Sequence, residues 1–577
     1  MIPAGLREER TRRWFTASVF SLIPALRLLL RAIVLFRHAY PPGSDYSAEA
    51  QRPMIPAGLR EDRTRRWFIA GAFLLILALG LLLRAIVLFR HAYPPGGDYG
   101  HVLLYTNEIL EKWEVPIYFP YHQLGGLRFQ SLPGLPLLLS ALSSTTGLTS
   151  IPLAYYSLLG SGLLIATVFV FTRLLGGDGP ALLAALIVAL LPANLEMLGW
   201  SGYSNIFALA LIPMMGWALL KFRAPRLTAG QAGSLGWVAL AALMVVGVVL
   251  IHHLSAVVVL LALAAFALGD IALARLRPQR VASYLFMASF GLALGLPMLL
   301  HLLDTYFGTD AVQTTLGEGT SVTTTITFAR VQHTFTPVVV LLASAGFVGL
   351  LLANRSGAAG RLLILALAGT IALLGYAWLL SLNFFYVRAL YFAPIIIAPA
   401  AAYAVWHTHR TFVRPLLVAV MIGYLTLVGM VSVERDSDFY LNLTPDSYAA
   451  LTWLADNTQE DDVILTDYCL AWPIDFLSRR PTVGAFAPEL LASTQEEAIA
   501  ADARTMLLEK RSQRRLFDEY GIDYVVFNAN CRAFNPLVVL RNLDAEPFLT
   551  HVADFGPVII YRNLRQAGGT VWMYETP

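Results

Sequence analysis

A chain of 577 residues that is 57% hydrophobic and 14% charged, with mean hydropathy +0.62, carries more apolar surface than a soluble globule can bury. The formal net charge of +3 conceals two regions: residues 1–432 carry net +13 and residues 433–577 net −10. The basic excess flanks apolar runs, so nucleic acid is not implied, and the balance describes a membrane body followed by a polar, acidic domain.

The chain opens on a duplication. Residues 1–47 recur as 54–100 with 38 of 47 positions identical. The first copy carries Ser21, Pro24 and Arg27 where the second has Leu74, Leu77 and Gly80, and it also carries Arg31. Central arginines cost about 2.5–3.5 kcal/mol each on insertion scales. Residues 1–53 are therefore read as a degenerate N-terminal duplicate, and the first true span as 67–89, behind the basic stretch 60–66. The first apolar run also lacks the small-residue cleavage site of a signal peptide.

Ten further runs follow, near 151–171, 180–198, 204–220, 235–251, 254–274, 281–302, 336–353, 361–380, 390–406 and 415–432. Each approaches the roughly 20 residues needed to cross a bilayer. With segment 60–66 inside, the inside loops hold 15 basic residues and the outside loops five, together with eight acids. That asymmetry is the positive-inside pattern. SLPGLPLLLSALSSTTGL (131–148) is short and interrupted by Pro and Gly, and counting it as a span would invert every later loop. It is read as an interfacial helix within a long outer loop, 90–150. A second outer loop, 303–335, is rich in Thr and Gly. The last span delivers 433–577 to the outside as a small mixed α/β domain: helix 445–456, strand 461–468, helix 494–512, strand 522–530 and a strand near 556–562. Cys469 and Cys531 each follow a predicted strand there; a disulfide and two free buried thiols are both compatible with the spacing, and a zinc site is not. The fold class expected is an α-helical polytopic membrane protein of about eleven transmembrane helices (54–432) with a small extracytoplasmic α/β domain (433–577), in the plasma (inner) membrane with the basic segment cytoplasmic.

The polar residues cluster at the outer face. Asp98 lies in PPGGDYGH (94–101), with Tyr99 and His101 beside it. From the residues alone this is either turn chemistry or an acid set next to the lipid, with Gly96-Gly97 permitting close approach to a substrate. Asp45 is its copy in the duplicate. Arg388, in NFFYVRALYF (383–392), and Arg84, near the outer end of the first span, are candidates for phosphate or for snorkelling to headgroups. His252 and His253, at the junction of two spans, suit an acceptor, phosphate or metal, or a helix cap. Glu196 precedes GWSGYSN (199–205), which offers Tyr203, Ser204 and Asn205 but no DxD pair.

The order of these parts resembles the GT-C superfamily of membrane glycosyltransferases, among them protein mannosyltransferases, aminoarabinose transferases and oligosaccharyltransferases. The resemblance rests on the first span with an acid near the start of the loop after it (GGDYGH), the interfacial PGLPLLLSALSSTTGL, the stretch LLGSGLLIATVFVFTRLLGGDGPALLAALIVALLPANLEM, and the soluble C-terminal domain. It covers most of 54–577 as a layout, without a diagnostic string. It implies a polyprenyl-phosphate-linked sugar donor, transfer outside the membrane to a glycan, lipid or protein acceptor, and Asp98 as the base, since the family's first-loop acid maps onto it. Phosphate is a good leaving group, so one base and one cation suffice, with no general acid. Some members bind a metal with a second acid at the position of Glu196; without a DxD pair here, neither metal nor cofactor is predicted, and a divalent cation lacks support. Two other classes compete. A transporter or flippase is expected to show internal repeats and mid-membrane polar residues, which spans two to eleven lack. A non-catalytic assembly protein would tolerate loss of Asp98.

Overall fold

The computed structural model of the chain describes residues 57–116, 118–126, 132–149, 151–223, 232–273, 278–306, 326–352, 357–380, 386–408, 413–486, 494–510 and 513–564. The duplicate with Asp45, and most of loop 303–335, lie outside the described residues.

Each of the eleven expected spans overlaps apolar helix, and 180–198 overlaps two helices broken at Leu191. The first is α1 (Ala57–Phe89), followed by α2 (Asp98–Lys112) and α3 (Gly134–Thr146). At 13 residues α3 is about 20 Å long, too short to cross a bilayer. Then come α4 (Ser157–Gly176), α5 (Asp178–Leu190), α6 (Pro192–Gly199), α7 (Tyr203–Arg223), α8 (Ala232–Ile251), α9 (His253–Leu273) and α10 (Pro278–Tyr306). After these α11 (Phe328–Phe335) meets α12 (Pro337–Leu352) at a 91° bend, followed by α13 (Gly357–Gly375), the short α14 (Tyr386–Ala389), α15 (Pro394–Trp406) and α16 (Val413–Phe439). Among the described residues, 7 helices are long and apolar enough to span alone, or 8 with the bent pair as one span; Gly236–Ile251, Arg280–Leu296 and Pro394–Trp406 are shorter. Leu74, Leu268, Leu341 and Leu427 lie exposed on the bundle surface, as lipid-facing residues do. This is a multi-pass membrane protein.

Two sets of ion pairs mark its two faces. On one, Arg65 bonds Asp178 at 2.8 Å and Arg173 bonds the same carboxylate at 2.6 Å, which puts the basic segment and the α4–α5 turn together. On the other, Arg90 and His91 beyond α1 meet Asp438 near the end of α16, at 3.2 and 2.9 Å. The second face carries the C-terminal domain and is called the domain face below.

Helix α5 is apolar all round and is accordingly buried all round, at the centre of the bundle. It stops where Leu191 turns extended and Pro192 opens α6. Proline has no N–H, so the carbonyl of Val188 loses its helical donor, and the extended Leu191 disturbs the bond to Ala189. Such freed carbonyls need other donors inside a membrane protein. Arg84 supplies them: its guanidinium donates to Ala189 O (2.8 Å), Val188 O (3.0 Å) and Gly80 O (3.0 Å), and Asn194 adds a second bond to Val188 O at 3.0 Å. Arg84 is fully enclosed. The sequence made it a phosphate candidate; the structure instead spends its donors on a helix break. Arg84→Met should therefore cost about 2–5 kcal/mol of stability, since carbonyls are left buried and unpaired. A fall of several degrees in thermal midpoint, measured in detergent, is the expected result; an unchanged midpoint contradicts the assignment.

Small residues let other helices approach. A side chain at Gly346 of α12 would overlap the Ala400 carbonyl of α15, whose Ala398, Ala400, Ala401 and Ala402 are all buried.

In the C-terminal domain α17 (Pro445–Asn457) is capped by Thr444, whose Oγ1 accepts the Ser447 N–H at 3.1 Å, with Pro445 at the first helical position. Next come β1 (Val463–Asp467), α18 (Ala471–Leu477), β2 (Thr482–Ala485), α19 (Thr494–Leu508), α20 (Arg514–Glu519), β3 (Ile522–Asn528), α21 (Pro536–Asp544), β4 (Leu549–Phe555) and β5 (Val558–Asn563). The sheet order is β2-β1-β3-β5-β4, with the first three strands parallel and β5 antiparallel to both neighbours. Cys469 and Cys531 form a disulfide joining the turns after β1 and β3, with Cα atoms 5.8 Å apart. Buried Asp467 ties the same strand ends by accepting backbone N–H groups from Cys469, Leu470 and Asn528.

The domain sits on α2. A Cβ at Gly100 would come within 3.0 Å of the Trp472 carbonyl on α18. Residues 121–123, between α2 and α3, run along the edge strand β2. Thr482 N–H donates to Tyr121 O (3.0 Å), and the Gln123 amide bonds Gly484 in both directions (2.9 and 3.1 Å). The loop thus covers a strand edge that would otherwise be open.

Candidate functional site

Asp98 is the first residue of α2, on the domain face. The loop before it is clamped by the chain itself. Gly96 adopts φ +92° and donates its N–H to Tyr440 O at 2.7 Å, and Ser201 Oγ donates to Pro95 O at 2.8 Å. A Cβ on Gly96 would run into the Ser201 side chain and the Trp200 carbonyl carbon. The glycine expected to make room for a substrate makes room for the α6–α7 turn instead, and this contact aims Asp98.

The Asp98 side chain keeps accessible surface, yet protein surrounds it densely enough for desolvation to dominate. That surround pushes the carboxyl up to about 6, while the nearby Arg388 charge pulls it down. Arg388, on α14, is half-buried with its guanidinium 5.9 Å from the centre of the Trp200 ring. It also lies within electrostatic reach of His252 and His253. Arg388 is thus the common neighbour of Asp98, Trp200, His252 and His253, which come from three other parts of the chain.

His252 caps α9. Its Nδ1 accepts the Ser255 N–H at 3.2 Å and lies 2.9 Å from the Ser255 hydroxyl, so a neutral ring carries its proton on Nε2 and can donate from there. His253 stacks on it with ring centres 5.0 Å apart. The cap expected of the pair is thus made by His252.

The remaining candidates separate. Glu196, expected as a second acid, is committed to an ion pair: Arg330 on α11 donates to it at 2.7 Å and to the Tyr391 hydroxyl at 3.1 Å. His101 faces the domain, its ring against Phe119 (5.0 Å) and Trp472 (4.6 Å). Tyr99, Tyr203 and Asn205 are buried, and Tyr203 lies within electrostatic reach of Asp98. Among the described residues, one group of three possible metal ligands comes together, Asp467 with Cys469 and Cys531, and its sulfurs are bonded to each other.

The sequence reading missed His122. This fully buried imidazole lies between two carboxylates, with Nδ1 3.2 Å from Asp475 and Nε2 2.9 Å from Glu496, and it stacks on Trp472 at 4.0 Å. Asp475 also accepts the Thr482 hydroxyl at 2.7 Å. Burial opposes the imidazolium, but the two carboxylate bonds overcome that and hold it up to about 9. Burial also raises Asp475, against the pull of His122. Both ring nitrogens face acceptors, so His122 is charged at neutral pH. It fastens the loop after α2 to α18 and α19. His122→Ala strands two buried carboxylates and should cost about 3–5 kcal/mol. The His122 contribution is fully present below pH 6.5 and is lost as pH rises through about 9. Thermal melts from pH 6 to 10 should converge for variant and wild type at the alkaline end; parallel curves contradict the charge assignment.

The site thus sits in a multi-pass bundle with a broken central helix, and a soluble α/β domain packs against α2, the helix that Asp98 opens. No protein-family model matches the chain, and no curated protein matches it in sequence. Solved structures do share its fold. The oligosaccharyltransferase of Archaeoglobus fulgidus, tethered to an acceptor peptide, aligns with TM-score 0.56 at 14% identity, over 83% of this chain and 72% of that one. The oligosaccharyltransferase AglB from the same organism, in complex with an inhibitory peptide and a dolichol-phosphate, aligns with TM-score 0.55 at 14% identity, over 82% and 72%. ArnT from Cupriavidus metallidurans bound to undecaprenyl phosphate aligns with TM-score 0.55 at 13% identity, over 87% of this chain and all (100%) of that one.

Proposed function

We propose that this protein is a glycosyltransferase that moves a sugar from a polyprenyl-phosphate-linked donor to an acceptor hydroxyl or amide on the domain face. The observation that carries the reading is that Arg388 lies within electrostatic reach of Asp98 and of both histidines and 5.9 Å from the Trp200 ring, within this fold. The acceptor atom attacks the anomeric carbon while the bond from that carbon to phosphate oxygen breaks. The electron pair leaves with polyprenyl phosphate, the acceptor proton passes to Asp98, and the anomeric centre inverts in the single displacement. With its carboxyl near 6, Asp98 is mostly ionised at pH 7 and remains basic enough to accept that proton. Arg388 receives the developing phosphate charge through its forked donors, with His252 Nε2–H as a second donor.

The Cys469–Cys531 disulfide supports an extracytoplasmic domain face, because such bonds persist in oxidising compartments, and the basic segment is then cytoplasmic. The break at Leu191 invites a transport reading, since discontinuous helices line many transporter sites. Its carbonyls are already occupied by Arg84 and Asn194, which leaves no cargo site there. The test is sugar transfer from a polyprenyl-phosphate hexose by Asp98→Asn protein, set out in the Discussion.

A further inference from the structure

Three polar side chains that take no part in the displacement above stand where the parts of the site join. Glu196 on α6 and Tyr391, in the 3₁₀ turn Leu390–Phe392, are 3% and 5% exposed. Arg330 of α11 bridges them: one terminal nitrogen donates to Glu196 Oε1 at 2.7 Å and to the Tyr391 hydroxyl at 3.1 Å. The Tyr391 hydroxyl is in turn hydrogen-bonded to Glu196, which closes the triad. Each member leads to one part of the site. Four residues after Glu196 comes Trp200, whose N–H donates to the Glu196 carbonyl at 3.1 Å. Ser201, the next residue, clamps the Asp98 loop through Pro95 O. Three residues before Tyr391 comes Arg388. The Tyr391 ring and the Arg388 guanidinium both lie 5.9 Å from the centre of the Trp200 ring. Arg330 and Tyr391 are also within electrostatic reach of Tyr440, whose carbonyl accepts the Gly96 N–H.

Helix α14, which carries Arg388, is a single turn of four residues and too short to hold its own orientation. A buried ion pair adds little stability over apolar packing of the same volume. Its hydrogen bonds nevertheless have direction, and here they run between the turn that holds Trp200 and the turn that follows Arg388. We propose that Glu196, Arg330 and Tyr391 are positioning residues, which lock the Arg388 segment to the Trp200 turn so that the guanidinium is held ready for the lipid phosphate. They act through Arg388 and not as ligands themselves. The inference rests on the glycosyl-transfer reading above, in which Arg388 receives that phosphate.

The experiment is a double-mutant cycle read by binding. Purified full-length protein in nanodiscs is titrated with bare polyprenyl phosphate as wild type, Tyr391→Phe, Arg388→Gln and the two combined. Tyr391→Phe keeps the ring against Trp200 and leaves Glu196 paired with Arg330, so the protein should fold. It should weaken the lipid by about tenfold in the wild-type background. In the Arg388→Gln background, itself weakened, the same change should cost less than about twofold, because residues that act through one group are not additive. A residue that only holds the fold together costs the same factor in both backgrounds. A second set varies the cation. Arg330→Lys keeps a donor for both acceptors and should stay within about threefold of wild type. Arg330→Met, made with Glu196→Gln so that no buried charge is stranded, should weaken the lipid about tenfold, again only where Arg388 is present. Unchanged affinity in Tyr391→Phe and in the Arg330→Met, Glu196→Gln pair, or an equal loss in both backgrounds, overturns the positioning role and leaves the glycosyl-transfer reading in place. Wild-type affinity in Arg388→Gln removes Arg388 from the phosphate, and a wild type that binds no polyprenyl phosphate overturns the glycosyl-transfer reading; either result removes the triad's role with it.

Discussion

Asp98→Asn should abolish sugar transfer while the protein still inserts, folds and binds lipid. The variant is best made together with Asp45→Asn, so that the acid of the duplicate cannot substitute. Removing a positioned base costs about 10²–10⁴ in rate, which is enough to lose product in an ordinary assay. The stability readout should move the other way. A carboxyl raised to about 6 from 3.8 stabilises the fold fully below pH 3.8 and loses that contribution as pH rises through about 6. At neutral pH the fold therefore bears the cost of an ionised, crowded carboxylate, and asparagine relieves it. An inactive variant with an unchanged or higher thermal midpoint marks a functional acid. An active one removes Asp98 from the mechanism.

The second large effect is expected at Arg388. Arg388→Gln removes the cation proposed to receive the leaving phosphate, and loss of one such interaction costs about 10²–10³ in rate. Arg388→Lys keeps the charge without the fork and should fall between. The pH profile adds a signature that mere disruption lacks. In wild type, activity should fall below pH 6 as Asp98 takes up a proton. The Arg388 charge lowers the Asp98 carboxyl, so removing it moves the acid limb to higher pH. A limb that stays in place in Arg388→Gln means that the two residues are not coupled in solution.

Much of the membrane body is legible in the sequence because hydropathy and charge asymmetry are local. Each apolar run overlaps helix, and the short, Pro- and Gly-interrupted 131–148 contains a helix of only 13 residues. What was not legible depends on partners far along the chain. Arg84 near the end of a span looks the same whether it reaches headgroups or fills the break that Pro192 makes about 105 residues later; Pro192 was the readable clue. His122 finds its carboxylates 353 and 374 residues away, and no spacing rule covers that. In the C-terminal domain β2 has four residues and α18 seven, too few to show a period, while β4 is largely exposed and lacks the apolar alternation of a half-buried strand. Of the proposed site, Asp98 and Arg388 could be singled out from their places beside spans, but not that they would lie near each other.

The central claim is that Asp98 and Arg388 address the same lipid phosphate. It is tested most directly by a density map of the full-length protein with bound polyprenyl phosphate. The phosphate should lie within hydrogen-bonding distance of the Arg388 guanidinium, beside the Asp98 carboxylate and the His252 ring. A phosphate held elsewhere, or a lipid threading a continuous tunnel between the two faces, contradicts the account and favours transport.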